Sequence, residues 1–152
     1  MQKHILADTS CLILLEKIKR LEWLRELFGS IVVVTEVADE YGASLPDWIG
    51  VRELAEPSRM IAFLAENLGK GEAASIALAL ELDNPLLILD DQKARKRAAT
   101  LNLAYTGTTG IILLAKKQGL CPAIQPELDA LRKAGMWLSS SLYQKLLDIA
   151  EE

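Results

Sequence analysis

A single histidine, two cysteines and few aromatic residues leave this 152-residue chain poor in several kinds of chemistry. Cys11 and Cys121 stand far apart with no second soft ligand beside either. That argues against a disulfide framework or a zinc knuckle and suits a reduced compartment. Nowhere do about 18 apolar residues run uninterrupted, so no membrane span is expected. Asp8 breaks the short apolar stretch near the start, which therefore does not read as a signal peptide. An excess of basic residues is missing too: 17 Lys and Arg against 21 Asp and Glu give a net charge of −4. A polyanion must then be held by a local basic patch or through bound cations, not by the molecule's overall field. The expectation is a soluble, cytoplasmic protein.

What the chain does have is apolar material, 51% of its residues, at a length that suits one domain spanning 1–152. Short apolar runs alternate with helical patterns. Ile5–Ala7 ends at Asp8, Ile31–Val34 at Thr35, Leu86–Leu89 at Asp90-Asp91, and Leu103–Thr106 at Gly107. A weaker candidate strand lies near Trp48–Val51. Continuous apolar runs of this length suit strands covered on both faces. Helices are expected from Thr9 or Ser10 to Leu15, over Leu21–Phe28, Thr35–Tyr41, Ser58–Leu68, Glu72–Leu82, Gln92–Leu101, Thr109–Gln118, Pro126–Ala134 and Ser140–Ala150, with Thr9 or Ser10, Thr35 and Thr108 or Thr109 as caps. The alternation predicts an α/β three-layer sandwich, a central parallel sheet of four to five strands with helices on both faces. Ligands in such sheets bind beyond the carboxyl ends of the strands.

The acids gather in the sequence at those ends. Asp8 closes the first strand, where an aspartate serves either as a helix cap or as a metal ligand. In the helix 35–41, Glu40 lies about 60° from Val37 and is predicted nearer the buried side than Glu36, with Asp39 facing water. Glu72 opens a helix that is apolar almost all round and aligns with Ile76, Ala79 and Leu80, so it is expected to need a cation, hydrogen bonds or a proton. Glu81 reads as a surface acid. Asp90 and Asp91 end an apolar strand and precede a helix carrying Lys93, Arg95, Lys96 and Arg97, a basic face placed to meet a polyanion. Carboxylates crowded at one edge repel unless neutralised. An all-oxygen donor set suits Mg²⁺ or Mn²⁺, and the matching reaction is phosphodiester hydrolysis.

Ile5-Leu6-Ala7-Asp8-Thr9-Ser10, Glu36-Val37-Ala38-Asp39-Glu40 and Leu89-Asp90-Asp91-Gln92-Lys93-Ala94-Arg95 together resemble the acidic motifs of PIN-domain ribonucleases, nearly end to end. Gly71–Ala79 and Gly107-Thr108-Thr109-Gly110 are similar to a prokaryotic subgroup related to toxins of VapC type. The resemblance implies a PIN-like fold and a metal-dependent endoribonuclease using Mg²⁺ or Mn²⁺, often the toxin partner of a small antitoxin protein. It carries Asp8, Glu40, Glu72 and Asp91 over as metal-site acids, with Asp90 as neighbour or substitute. Ser10 or Thr9 would hydrogen-bond an acid, and Thr108 supports the site. Lys93 and Arg95 would take the RNA. Glu72 departs from the Asp of many relatives by one methylene and one position.

Two other readings stand beside it: a PIN scaffold that binds RNA or a protein without cutting, and a receiver-like phosphorylation switch. His4 is expected to serve packing or surface, Cys11 to be a small buried residue, and Lys116 and Lys117 to favour a helix dipole. Trp23, Trp48 and Trp137 are expected in the core or an interface. The last helix, with Leu142, Leu146 and Ile149 at helical spacing, is expected to close the core, a homodimer face or an antitoxin groove.

Overall fold

The computed structural model describes residues 3–152; Met1 and Gln2, part of the expected domain, lie outside the described residues. The chain runs β1 (His4–Ala7), α1 (Thr9–Lys17), α2 (Glu22–Phe28), β2 (Ile31–Val34), α3 (Thr35–Tyr41) and β3 (Ile49–Arg52). It continues through α4 (Ser58–Ala65), α5 (Lys70–Glu81), β4 (Pro85–Ile88), α6 (Gln92–Thr100), β5 (Ala104–Thr106), α7 (Thr108–Lys117), α8 (Gln125–Lys133) and α9 (Ser140–Ile149). The weak signal near Trp48 is a full strand, so the sheet has five strands.

All strands are parallel in the order β3-β2-β1-β4-β5. Apolar runs buried on both faces explain the centre: Leu6 is 1% exposed and Leu87 0%. The chain winds outward from β1 through β2 to β3, then crosses back to β4 and out to β5. Right-handed crossovers therefore put α1 and α2 on one face, where α7 packs against them, and α4, α5 and α6 on the other. The direction reverses between β1 and β4, and the crevice opened by such a reversal is where parallel sheets place ligands. A receiver-like sheet has the order β2-β1-β3-β4-β5. The observed order corrects that alternative.

Register then aligns the carboxyl ends. Ala7 pairs with Ile88 and Ile88 with Thr106, and the Asp8 amide donates to the Ile88 carbonyl at 3.2 Å. Whatever follows those three strands must emerge side by side.

Several local expectations shift. Asp8, Val34 and Gly107, not a Ser or Thr, occupy the cap positions of α1, α3 and α7, none with a side-chain cap bond. The hydroxyls of Thr9, Ser10 and Thr108 serve acids instead, and that of Thr35 donates to the Arg52 carbonyl at 3.3 Å. α4 ends at Ala65, three residues short of Leu68, because Asn67 takes a positive φ of 66° and turns the chain. α5 starts two residues before Glu72, with Gly69 as cap. Glu81 is no idle surface acid: its carboxylate accepts the amides of Ala55 and Glu56, each at 3.0 Å, fastening the loop into α4. Trp23 is buried but Trp137 is 81% exposed. In α9 Leu146 and Leu147 pack inward, whereas Leu142 and Ile149 stay at the surface.

Candidate active site

Asp8, only 4% exposed, emerges from the sheet centre. With Thr9, Ser10, Ile13, Glu40, Gly69, Gly71 and Glu72 it lines a cleft of about 280 Å³ over the β1 carboxyl end. A larger, mostly apolar groove of about 480 Å³ runs between α7 and the end of α9; none of the five acids lines it.

Glu40 reaches the cleft from α3, and Thr9 donates its hydroxyl to Glu40 Oε1 at 3.2 Å. The helical-wheel expectation for this acid is corrected: Glu40 is exposed and Glu36 half-buried. Its proximity to Asp8 comes from α3 packing on α1 and α5, not from facing the core. Glu72, half-buried at the start of α5, turns one oxygen back to accept the Gly69 amide at 2.9 Å, capping the helix from its third residue. The bland use of an N-terminal Glu and a place in the cleft thus coincide.

The two aspartates after β4 part ways. Asp90 points inward to Asp8's neighbours: Oδ1 accepts the Thr108 amide at 2.7 Å, and Oδ2 accepts the hydroxyls of Thr108 at 2.6 Å and Ser10 at 3.1 Å. Asp91 is exposed, caps α6 by accepting the Ala94 amide at 2.9 Å, and acts on Glu72 through its charge. Of the pair, Asp90 is the one held in a network beneath the cleft. Of the two cations expected to face a substrate, Lys93 donates to the Asn67 carbonyl at 3.4 Å and Arg95 lies over the Tyr105 ring.

The electrostatics follow from crowding without compensation. Burial pushes the Asp8 carboxyl up to about 7, and the charges of Glu72, Glu40 and Asp90 add to the rise against the pull of the Thr9 amide. Glu72 is raised as well, by burial first, then by Asp91 and Glu40, opposed by the Gly69 amide. No cation contributes at either position, so the group is one that favours a proton or a bound cation.

Gly71 shows how closely the acids approach. A Cβ there would overlap Glu40 Oε1 and stand 3.2 Å from Asp8 Oδ1. Only a residue without a side chain lets α5 sit this close to both oxygens. The donor set is all oxygen, the chemistry that a hard cation such as Mg²⁺ or Mn²⁺ prefers. As the side chains lie, no three His, Cys, Asp or Glu residues among the described ones converge to hold an ion. Glu72 and Asp91 are turned onto backbone amides instead. Gly71→Ala is expected to melt within a few degrees of wild type, because Glu40 is a flexible surface side chain and Ala is the better helix former. Any activity that depends on Glu40 should nevertheless fall by up to about 100-fold, the scale of a displaced reacting group. Circular-dichroism melts beside an activity assay would check both halves.

Sequence reasoning missed Glu127, 6% exposed and paired with Arg20 at 2.8 Å. Its partner is 107 residues away, so no local pattern announces it. Tyr105 reads in sequence only as part of the strand run Leu103–Thr106, and its contact with Arg95 is visible only in three dimensions. A family model described as PIN domain matches residues 4–152. A search of the curated proteins found no match.

Proposed function

Because the chain belongs to the PIN-domain family, whose members are generally nucleases, we propose that it is a Mg²⁺- or Mn²⁺-dependent endoribonuclease. One observation carries the reading: Asp8, Glu40 and Glu72, from three separate elements, share a cleft in which Asp8 is held near neutral pKa with no cation beside it. Asp8, Glu40 and Glu72 would hold the ion, with Asp90 and Asp91 at its border. When bound, Mg²⁺ or Mn²⁺ supplies Lewis acidity toward water and phosphate and offsets the repulsion of the carboxylates.

The chain's own groups do the arranging. Thr9 donates to the Glu40 carboxylate and biases its orientation, while Ser10 and Thr108 hold Asp90 in place. Ile13 forms an apolar wall at the cleft. Lys93 and Arg95 on α6 offset the charge of an approaching RNA strand. Hydrolysis adds water across a P–O bond of the phosphodiester and leaves one phosphate-bearing end and one hydroxyl end.

The test is cleavage of a labelled single-stranded RNA with Mn²⁺ or Mg²⁺, with EDTA, and with Glu40→Gln. Cutting is expected only with the metal. Glu40→Gln should need about 10–100-fold more metal, as when a metal site loses one of its supports. A second reading, a PIN scaffold that binds without cutting, is favoured by the turning of Glu72 and Asp91 onto amides. RNA that binds and stays intact at millimolar Mn²⁺, identically for wild type and Glu40→Gln, would select it. Pairing with a small antitoxin or a second copy is part of the same proposal and would show as a change in mass on co-purification.

A further inference from the structure

We infer that Arg95 is a phosphate-binding residue beside the acids, positioned by Tyr105 to take an RNA phosphate adjacent to the one being cut. This rests on the ribonuclease reading for its substrate and on separate geometry for its site. Arg95 stands on the fourth residue of α6, and its guanidinium carbon lies 4.9 Å from the centroid of the Tyr105 ring on edge strand β5. A Cβ on Gly107 would come 3.0 Å from Asp90 Oδ1 and 3.7 Å from Arg95 Nη1, so the guanidinium flanks the same gap as the buried end of the acid network.

Despite that neighbourhood Arg95 is unspent. Arg20, Arg25 and Arg97 are ion-paired to Glu127, Glu22 and Glu66. Among the described residues the Arg95 side chain has no hydrogen bond or ion pair, and its Nε is buried without a partner. Asp90 does not satisfy it, because both Asp90 oxygens are already taken by Thr108 and Ser10. A guanidinium is a planar fork of five donors that matches the oxygens of a phosphate. The attraction of the Tyr105 ring face for a cation holds that fork in place before any substrate arrives. Tyr105 remains 38% exposed, so the platform is open to solvent. Lys93, by contrast, is drawn aside to the Asn67 carbonyl.

The experiment uses the full chain and a fluorescein-labelled single-stranded RNA. Kd is read by anisotropy in EDTA, and kcat and KM are read with Mn²⁺. Arg95→Ala is expected to raise Kd and KM about tenfold with kcat changed far less, and to lower the salt slope of binding by about 0.7, one phosphate contact on a single strand. Arg95→Lys should recover part of the affinity, since a point charge replaces the fork. Tyr105→Ala should behave like a weaker Arg95→Ala, while Tyr105→Phe should match wild type. Arg59→Ala, which removes the same charge from exposed α4, should change nothing. Wild-type Kd and salt slope in a folded Arg95→Ala overturn the inference, as does a wild type that binds no RNA. If Arg95→Ala fails to fold, an unchanged Kd in Arg95→Lys and Tyr105→Ala overturns it. RNA bound through Arg95 but never cut would support this inference while the ribonuclease reading falls.

Discussion

Asp8→Asn is expected to abolish metal-dependent RNA cleavage, by about 1,000-fold or more, while leaving the fold intact. Asp8 is the acid at which the other charges meet: Glu72, Glu40 and Asp90 each act on it. It is also the buried one, at the reversal point between β1 and β4. An amide is nearly isosteric with the carboxylate, so its place at the α1 start is kept, but the charge that would hold a cation is gone. A loss of about 4 kcal/mol of transition-state stabilisation corresponds to that factor. Single-turnover cleavage with Mn²⁺ measures it. Equal trace cleavage by wild type and Asp8→Asn would mean that the activity belongs to a contaminant and that the ribonuclease reading is wrong.

The second large effect is on stability, and its sign is the reverse of the usual carboxylate. The Asp8 carboxyl is raised from 3.8 to about 7 in the folded protein. The native state therefore binds the proton more tightly than the unfolded chain does. Its stabilising contribution is complete below about 3.8 and is lost as pH rises through about 7. Glu72 is shifted in the same direction and adds to the trend. In metal-free protein the penalty for ionising Asp8 should be on the order of 4 kcal/mol above neutral pH. Asp8→Asn should remove it, so the variant is expected to be more stable than wild type near pH 8 and about equal to it near pH 4. Urea melts in EDTA across that range, taken as the difference between the two proteins, isolate this group from the general effects of acid. Saturating Mn²⁺ should restore wild type at pH 8 and do little for Asp8→Asn. A wild type that does not lose stability relative to Asp8→Asn as pH rises would show that the acids are not held at the crowding described.

These two outcomes pull in opposite directions, which gives them diagnostic value. A mutation that only damaged the fold would lower activity and stability together. A residue retained for binding a cation costs stability when the cation is absent, as functional sites commonly do.

Much of this was legible in the residues. The strands around Leu6, Val33 and Leu87 announced themselves because burial on both faces requires unbroken apolar runs, and α5 because its small apolar residues leave no solvated side. Asp8 and the Asp90-Asp91 doublet were legible as strand-end acids, because an acid directly after such a run must sit at a strand's carboxyl end, although the resemblance favoured Asp91 over Asp90. What could not be read was which way each acid turns. Glu40 was expected nearer the core on the helical wheel, but it is exposed and reaches Asp8 because α3 lies across α1 and α5. The choice between Asp90 and Asp91 was equally hidden, since it depends on Thr108, at the start of α7, occupying one of them.

Composition, charge and the order of apolar runs thus determined by themselves an α/β sheet with its acids at one end, because strand burial and helix periodicity are local demands that each segment states alone. Only the tertiary structure decided that Gly71 presses against Glu40 and Asp8, that Asp90 is bound while Asp91 caps a helix, and that Arg95 rests on Tyr105 with its donors unfilled. Apart from the Asp91 cap, those facts join residues from 10 to more than 60 positions apart, and a hydrogen bond or a charge is felt across a few ångströms of space, not along the chain.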